Sequence, residues 1–227
     1  MIATDKKYSR FKDAPWFGKF PYIILGGAGG IGSWTALALS RVGADVYIYD
    51  FDRVEEHNMG GQLYRSSDKG LYKTEAINRT IQDYCSNSIN TLGIYEEGSM
   101  TSEIMISAFD NMSARKLMFD AWVNSNEYDE KKKLFIDPRM SAETMQIYCL
   151  NSKERIDKYV KELFDDDAVP SEPCSFKSTS HTGMLIGSLI TGIICNHVAN
   201  ISSEDDMREI PYKIEFEFPS LTFNCIS

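Results

Sequence analysis

The stretch that most constrains this chain is Gly27-Ala28-Gly29-Gly30-Ile31-Gly32, which satisfies G-x-G-x-x-G between the apolar run at 22–27 and a predicted helix at 31–43. Strand, tight glycine turn and helix in that order open a βαβ unit, and the helix start presents free backbone N–H groups to a phosphate. Gly27 allows the tight turn, Gly29 and Gly30 let the backbone approach a ligand, and Gly32 permits close packing of helix on strand. A β-branched and aromatic run at 44–50 supplies the second, parallel strand and ends in Asp50, 18 residues beyond Gly32. An acidic side chain at that strand end accepts hydrogen bonds from both ribose hydroxyls. The pattern therefore predicts an adenosine pocket and leaves NAD, FAD, S-adenosylmethionine and ATP open.

The rest of the chain continues the alternation. Helices are predicted at 72–85 and 114–123, strands at 89–95 and 105–109, and two further strands, 134–137 and 144–150, on either side of Pro138-Arg139. The charged segment 151–173 reads as an exposed helix and a mobile loop, 182–200 as a buried helix, and 212–218 as a last strand. This is a doubly wound, Rossmann-like α/β fold, mostly parallel, with C-terminal strands extending the sheet. It divides into an N-terminal arm (1–20), a nucleotide-binding core (21–150), a mobile crossover segment (151–180) and a C-terminal helix and strand (181–227), all in one domain.

Composition narrows the partners. A formal net charge of -9 works against nucleic acid and anionic lipid. Apolar runs such as 184–195 are interrupted by Gly and Ser and fall short of a membrane span, and the polar N-terminus lacks a secretory signal, so a cytoplasmic location is expected. The five cysteines include no C-x-x-C pair, and with three histidines they suggest neither a disulfide framework nor a zinc site. Any metal is expected to arrive with a nucleotide. Cys85, Cys149, Cys195 and Cys225 fall in predicted regular elements and read as core, while His181 and His197 read as structural.

The residues after Asp50 separate the ligands. Asp50-Phe51-Asp52-Arg53-Val54-Glu55-Glu56-His57-Asn58-Met59-Gly60-Gly61-Gln62 resembles the D-x-D-x-V-x-x-x-N-x-x-R-Q motif of the ThiF/MoeB/HesA family, the adenylating fold of ubiquitin-activating enzymes. Lys73 follows near the spacing of that family's catalytic lysine, and Asp110-Asn111 with Arg115 resembles its D-N-x-x-x-R motif. The matches cover roughly residues 20–125. The resemblance implies ATP-dependent adenylation of a carboxylate, usually the C-terminal glycine of a ubiquitin-like protein, with pyrophosphate released. It implies Lys73 on the transferring phosphate, Asp110 on Mg²⁺, Asn58 on phosphate or ribose, and Asp50, Asp52 and Gln62 around the nucleotide. A nicotinamide-dependent oxidoreductase would leave Asn58, Gln62, Lys73 and Asp110 as coincidences.

Gly61 departs from the motif, standing where the family carries arginine. Arg65 and Arg53 are candidates to replace the missing cation. So is Arg10, because Lys7-Tyr8-Ser9-Arg10 resembles the family's R-Y-S-R segment, whose arginine enters the neighbouring subunit's site; that role requires a homodimer. Cys174, after the acidic stretch and before a helix, is a candidate acceptor of the activated acyl group. Asp137-Pro138-Arg139, at a strand end, is a candidate substrate contact, and from the length of 227 residues no separate catalytic cysteine domain is expected. Two readings stand: an adenylyltransferase acting on a ubiquitin-like tail, a peptide or a small carboxylate, and a nucleotide-binding scaffold in which Gly61 has weakened or abolished catalysis.

Overall fold

The computed structural model describes residues 6–125, 128–163, 178–202 and 207–227. Its strands are β1 (Ile23–Gly26), β2 (Val46–Tyr49), β3 (Asn90–Leu92), β4 (Ile104–Ser107), β5 (Leu134–Ser141), β6 (Thr144–Leu150), β7 (Lys213–Glu217) and β8 (Thr222–Ile226). They form one sheet in the order β3-β2-β1-β4-β5-β6-β7-β8. From β3 to β5 every pairing is parallel, and from β5 to β8 every pairing is antiparallel. The α/β, Rossmann-like architecture with C-terminal strands extending the sheet is thus the one the sequence predicts.

The parallel strands read as continuous apolar runs because both faces are covered. On one face Ile23, Leu25, Val46, Ile48, Ile104, Ile106, Leu134 and Ile136 pack under α1 (Gly32–Arg41), α2 (Lys73–Cys85) and α5 (Ser180–Ser202). On the other, Ile24, Tyr49, Met105 and Phe135 pack under α3 (Met112–Asn124) and α4 (Lys153–Glu162) through Met118, Phe119, Trp122 and Tyr159. The order reverses between β1 and β4, and open α/β sheets bind ligands beyond the strand ends at such a switch point.

Helix α5 is 23 residues, long and apolar enough by composition to cross a membrane, so the argument from short apolar runs does not hold. Its packing accounts for the apolarity. Ile186, Ile190, Ile193, Ile194 and Val198 are buried against the sheet and α1. At Gly183 a Cβ would meet the Gly30 carbonyl oxygen at 2.3 Å, so α5 starts in direct contact with the glycine turn.

Two further features, in β5 and in β8, differ from expectation. Strand β5 runs through Pro138-Arg139 instead of breaking there. Its pairing with β4 stops at Ile136, so beyond that point it has a strand partner on one side only, where a missing N–H is tolerated. Strand β8 was not anticipated, and its Cys225 is exposed rather than core. Residues 6–20 are packed: Tyr8, Phe11 and Phe17 contact one another. Lys7 donates to the Cys85 carbonyl at 3.0 Å and to Asn87 at 2.7 Å, at the end of α2 opposite Lys73.

Candidate functional site

The glycine turn adopts the geometry its sequence requires. Gly27 has φ +90°, and a Cβ there would lie 2.6 Å from the Ala108 carbonyl oxygen; a Cβ on Gly32 would lie 1.8 Å from the Gly27 carbonyl oxygen. Any side chain at either position breaks the turn. Gly29, by contrast, faces open space within 4 Å of its Cβ direction, the place where a ligand can approach the backbone.

Asp50 ties this turn to the motif loop. Its Oδ2 accepts from the Ala28 N–H at 2.7 Å and its Oδ1 from the Asp52 N–H at 2.8 Å. Burial pushes its carboxyl pKa above the ordinary 3.8, opposed by those N–H groups and the Lys73 charge. Tyr64, whose phenol burial raises well above its usual range, remains a neutral donor to the Ala28 carbonyl. Leu63 N–H donates to Ser33 Oγ at 3.1 Å, and Ser33 Oγ donates to the Gly29 carbonyl at 2.7 Å. The long loop after β2 is therefore sewn onto the phosphate turn.

Lys73 is the first residue of α2 and only 8% exposed, unlike an ordinary surface lysine. Its Nζ lies 2.7 Å from Asp52 Oδ2 and its backbone N–H donates to the Asp52 carbonyl at 2.8 Å. Asp52, expected around the nucleotide, pairs with this lysine while its side chain stays half exposed. Asn58 is buried, and its Oδ1 accepts from the Glu55 N–H at 2.8 Å, so the motif asparagine holds the loop's shape. Gln62 Oε1 is buried with no hydrogen-bond partner among the described residues.

A cleft of about 330 Å³ opens beside Asp50, lined by Phe51, Tyr72, Thr74, Leu92, Gly93 and Ile94 among others. Phe51 and Tyr72 are 61% and 47% exposed, apolar surface available to a planar base. Sequence reasoning missed both; the signal was an aromatic directly after the acidic strand end and another directly before the motif lysine.

Asp110 is exposed just past the C-terminal end of β4, and its neighbour Asn111 caps α3 by accepting from the Ala114 N–H at 2.8 Å. Arg115 points inward. It donates to Asp137, to the Ser107 carbonyl at 2.9 Å and to the Pro138 carbonyl at 3.0 Å. Asp137 is fully buried and also takes Arg139 at 2.7 Å and the Tyr159 hydroxyl at 2.7 Å. The proposed substrate contact at Asp137-Pro138-Arg139 is corrected accordingly: its carboxylate is committed to an internal tie joining β5, α3 and α4.

The replacement cations in the same chain are also placed elsewhere. Arg65 pairs with Asp83 at 2.6 Å, and Arg53 donates to the Gly70 carbonyl at 2.7 Å and lies 4.0 Å from the Tyr72 ring centroid. Arg10 is exposed on the packed N-terminal segment. Cys174 lies outside the described residues. Burial pushes the Cys149 and Cys195 thiols up to about 12 and raises Cys85, so none of these is a thiolate near neutrality. His197 is buried against the Lys132 carbonyl at 2.9 Å, and His181 packs edge-on to Phe218. No cluster of three or more His, Cys, Asp or Glu able to hold a metal occurs among the described residues.

The ThiF family profile matches residues 19–223. The chain belongs to the ThiF family. A ubiquitin-like modifier-activating enzyme 5 from Bombyx mori is 31% identical over 128 residues, covering 48% of this chain and 32% of that protein. The Aedes aegypti enzyme of the same name is 32% identical over 115 residues, covering 41% and 28%. The chain thus spans about a third of the length of these curated relatives. Among solved structures, E. coli MccB with ATP superimposes with a TM-score of 0.69 at 16% identity, covering 99% of this chain and 72% of that one. The microcin C7 biosynthetic enzyme MccB in complex with N-formylated MccA gives 0.71 at 15% identity, covering 99% and 72%. PaaA gives 0.65 at 18%, covering 96% and 81%. This family chain carries a nucleotide-binding Rossmann-like fold.

Proposed function

We propose that this ThiF-family chain is an ATP-dependent adenylyltransferase that activates the carboxylate of a peptide or of a ubiquitin-like tail and releases pyrophosphate. The observation that carries the reading is Lys73: a lysine nearly removed from water, steered by Asp52, at the strand end where Asp50 grips the glycine turn. Attack of a carboxylate on an α-phosphate brings anion to anion, so a pre-positioned cation contributes most as the in-line transition state forms.

In this mechanism the open backbone at Gly29 and the start of α1 take the phosphates, with Gly27, Gly30 and Gly32 shaping the turn. Asp50 accepts from the ribose hydroxyls, and the Phe51–Tyr72 cleft takes the base. Gln62, whose carbonyl oxygen has no partner among the described residues, sits on the loop that Asn58 holds in shape. Mg²⁺ keeps few protein ligands when phosphates supply the rest, which suits the exposed carboxylate of Asp110; bound there, the ion would neutralise phosphate charge. Two relatives' names support the substrate class: MccB is complexed with MccA, and the curated relatives are named for a ubiquitin-like modifier. The active unit is taken as a homodimer in which Arg10 reaches the partner's site.

Gly61 favours a second reading, a nucleotide-binding scaffold with weakened chemistry, because neither Arg65 nor Arg53 replaces the missing cation. Carboxylate-dependent exchange of labelled pyrophosphate into ATP decides between them, with Lys73→Ala and Asp110→Ala as controls. Exchange lost in both variants supports the enzyme. Tight ATP binding with no exchange for any authenticated binding partner supports the scaffold, and a preference for NAD over ATP overturns both.

A further inference from the structure

Gly61 leaves room for a residue from far along the chain. Ser178 stands two residues before α5 and is tied to the turn after β5, where it forms a parallel bridge with Ala142 while Thr179 Oγ1 donates to the Ala142 carbonyl at 3.0 Å. Two glycines make its seat. A Cβ on Gly61 would lie 2.8 Å from Ser178 Oγ and 3.3 Å from its carbonyl oxygen. One on Gly30 would lie 3.3 Å from Ser178 Cβ and 3.6 Å from Oγ. Gly61 is itself fixed, its carbonyl accepting the Trp34 indole N–H at 3.1 Å.

The Ser178 hydroxyl therefore sits between the phosphate turn and the motif loop, and the residue is exposed rather than sealed in the core. A side chain at residue 61 would have to displace the Ser178 hydroxyl and press on its carbonyl. Where the motif has a cation, the tertiary fold supplies an alcohol.

We propose that Ser178 is a nucleotide-contacting residue whose hydroxyl donates to the phosphate tail of ATP, and that Gly61 is small in order to seat it. The proposal rests on the ATP reading above. A hydrogen bond to a charged acceptor is worth about tenfold in affinity, and this one depends on the phosphates and not on the nucleoside.

The experiment compares ATP, by titration calorimetry, with adenosine, by ligand-observed NMR, on the full chain. Ser178→Ala is expected to bind ATP about tenfold more weakly, with adenosine affinity within about twofold of wild type. Thermal melting should be unchanged. Gly61→Ala, whose Cβ displaces the hydroxyl, is expected to show the same ATP-selective loss and to add less than about twofold in the Ser178→Ala background. Equal losses for ATP and adenosine would reduce Ser178 to a structural role and overturn the proposal, as would no loss for either. Failure of the wild-type chain to bind ATP would instead sink the function proposed above, and this contact with it.

Discussion

Replacing Lys73 with methionine separates the chemistry of the site from its architecture. Methionine keeps an unbranched apolar stem of similar length in the space that leaves Lys73 only 8% exposed. What disappears is the charge paired with Asp52 at 2.7 Å. The Asp52 side chain is 48% exposed, so water solvates the carboxylate once its partner is gone. A pair screened in this way contributes about 0–1 kcal/mol to stability. For a domain of this size that shifts the melting temperature by roughly 2–4 °C at most. The same charge facing a transferring phosphate is worth on the order of 3 kcal/mol in the transition state, or about a hundredfold in rate. Lys73→Met should therefore melt nearly as the wild type does and exchange pyrophosphate about a hundredfold more slowly. Asp52→Asn is the informative partner variant, since it leaves the cation in place and should cost much less activity. Exchange within about threefold of wild type in Lys73→Met would refute the assignment. So would an equal loss in Asp52→Asn, which would make the ion pair, and not the lysine, the functional element.

Asp137→Ala should destabilise the fold by about 3–5 kcal/mol in denaturant melts, because it removes the fully buried carboxylate that Arg115, Arg139 and the Tyr159 hydroxyl share; a loss below about 1 kcal/mol would contradict the internal-tie reading. Burial lowers the His197 pKa below 6.5, so the unfolded chain binds the proton more tightly than the folded one. The corresponding stability is present above pH 6.5 and is lost progressively as pH falls from 6.5 through the lowered folded-state value, a slope that His197→Gln should reduce and that thermal melts at stepped pH will measure. Asp50 titrates above 3.8, and protonation turns one of its two accepting oxygens into a donor and removes the charge that strengthens bonds from ribose hydroxyls. Adenosine affinity, followed by NMR as pH is lowered from 7, should therefore weaken before an ordinary aspartate would protonate, and a flat profile down to about pH 4 would remove Asp50 from the ribose site.

Much of this molecule is written locally. The order of strand, glycine turn, helix and acidic strand end depends on φ preferences, on hydrophobic runs buried on both faces and on spacing within a few dozen residues, so Gly27, Gly32 and Asp50 were legible before any fold was known. The motif after Asp50 placed Lys73 and Asn58 in the same way. The sequence could not say which polar groups would spend their charges on each other. Arg115 and Asp137 are 22 residues apart, yet they meet because β4 and β5 are neighbours and α3 covers them. Arg65 reaches Asp83 on the adjacent face of α2, and Lys73 is buried only because the loop carrying Asp52 folds back over it. Ser178 lies against Gly61 through the placement of α5 on α1, a contact that no periodicity or local turn chemistry encodes. Local backbone chemistry thus determined the elements and the phosphate turn. Burial and pairing between distant segments decided which candidate residues stay open at the glycine turn and which hold the fold together.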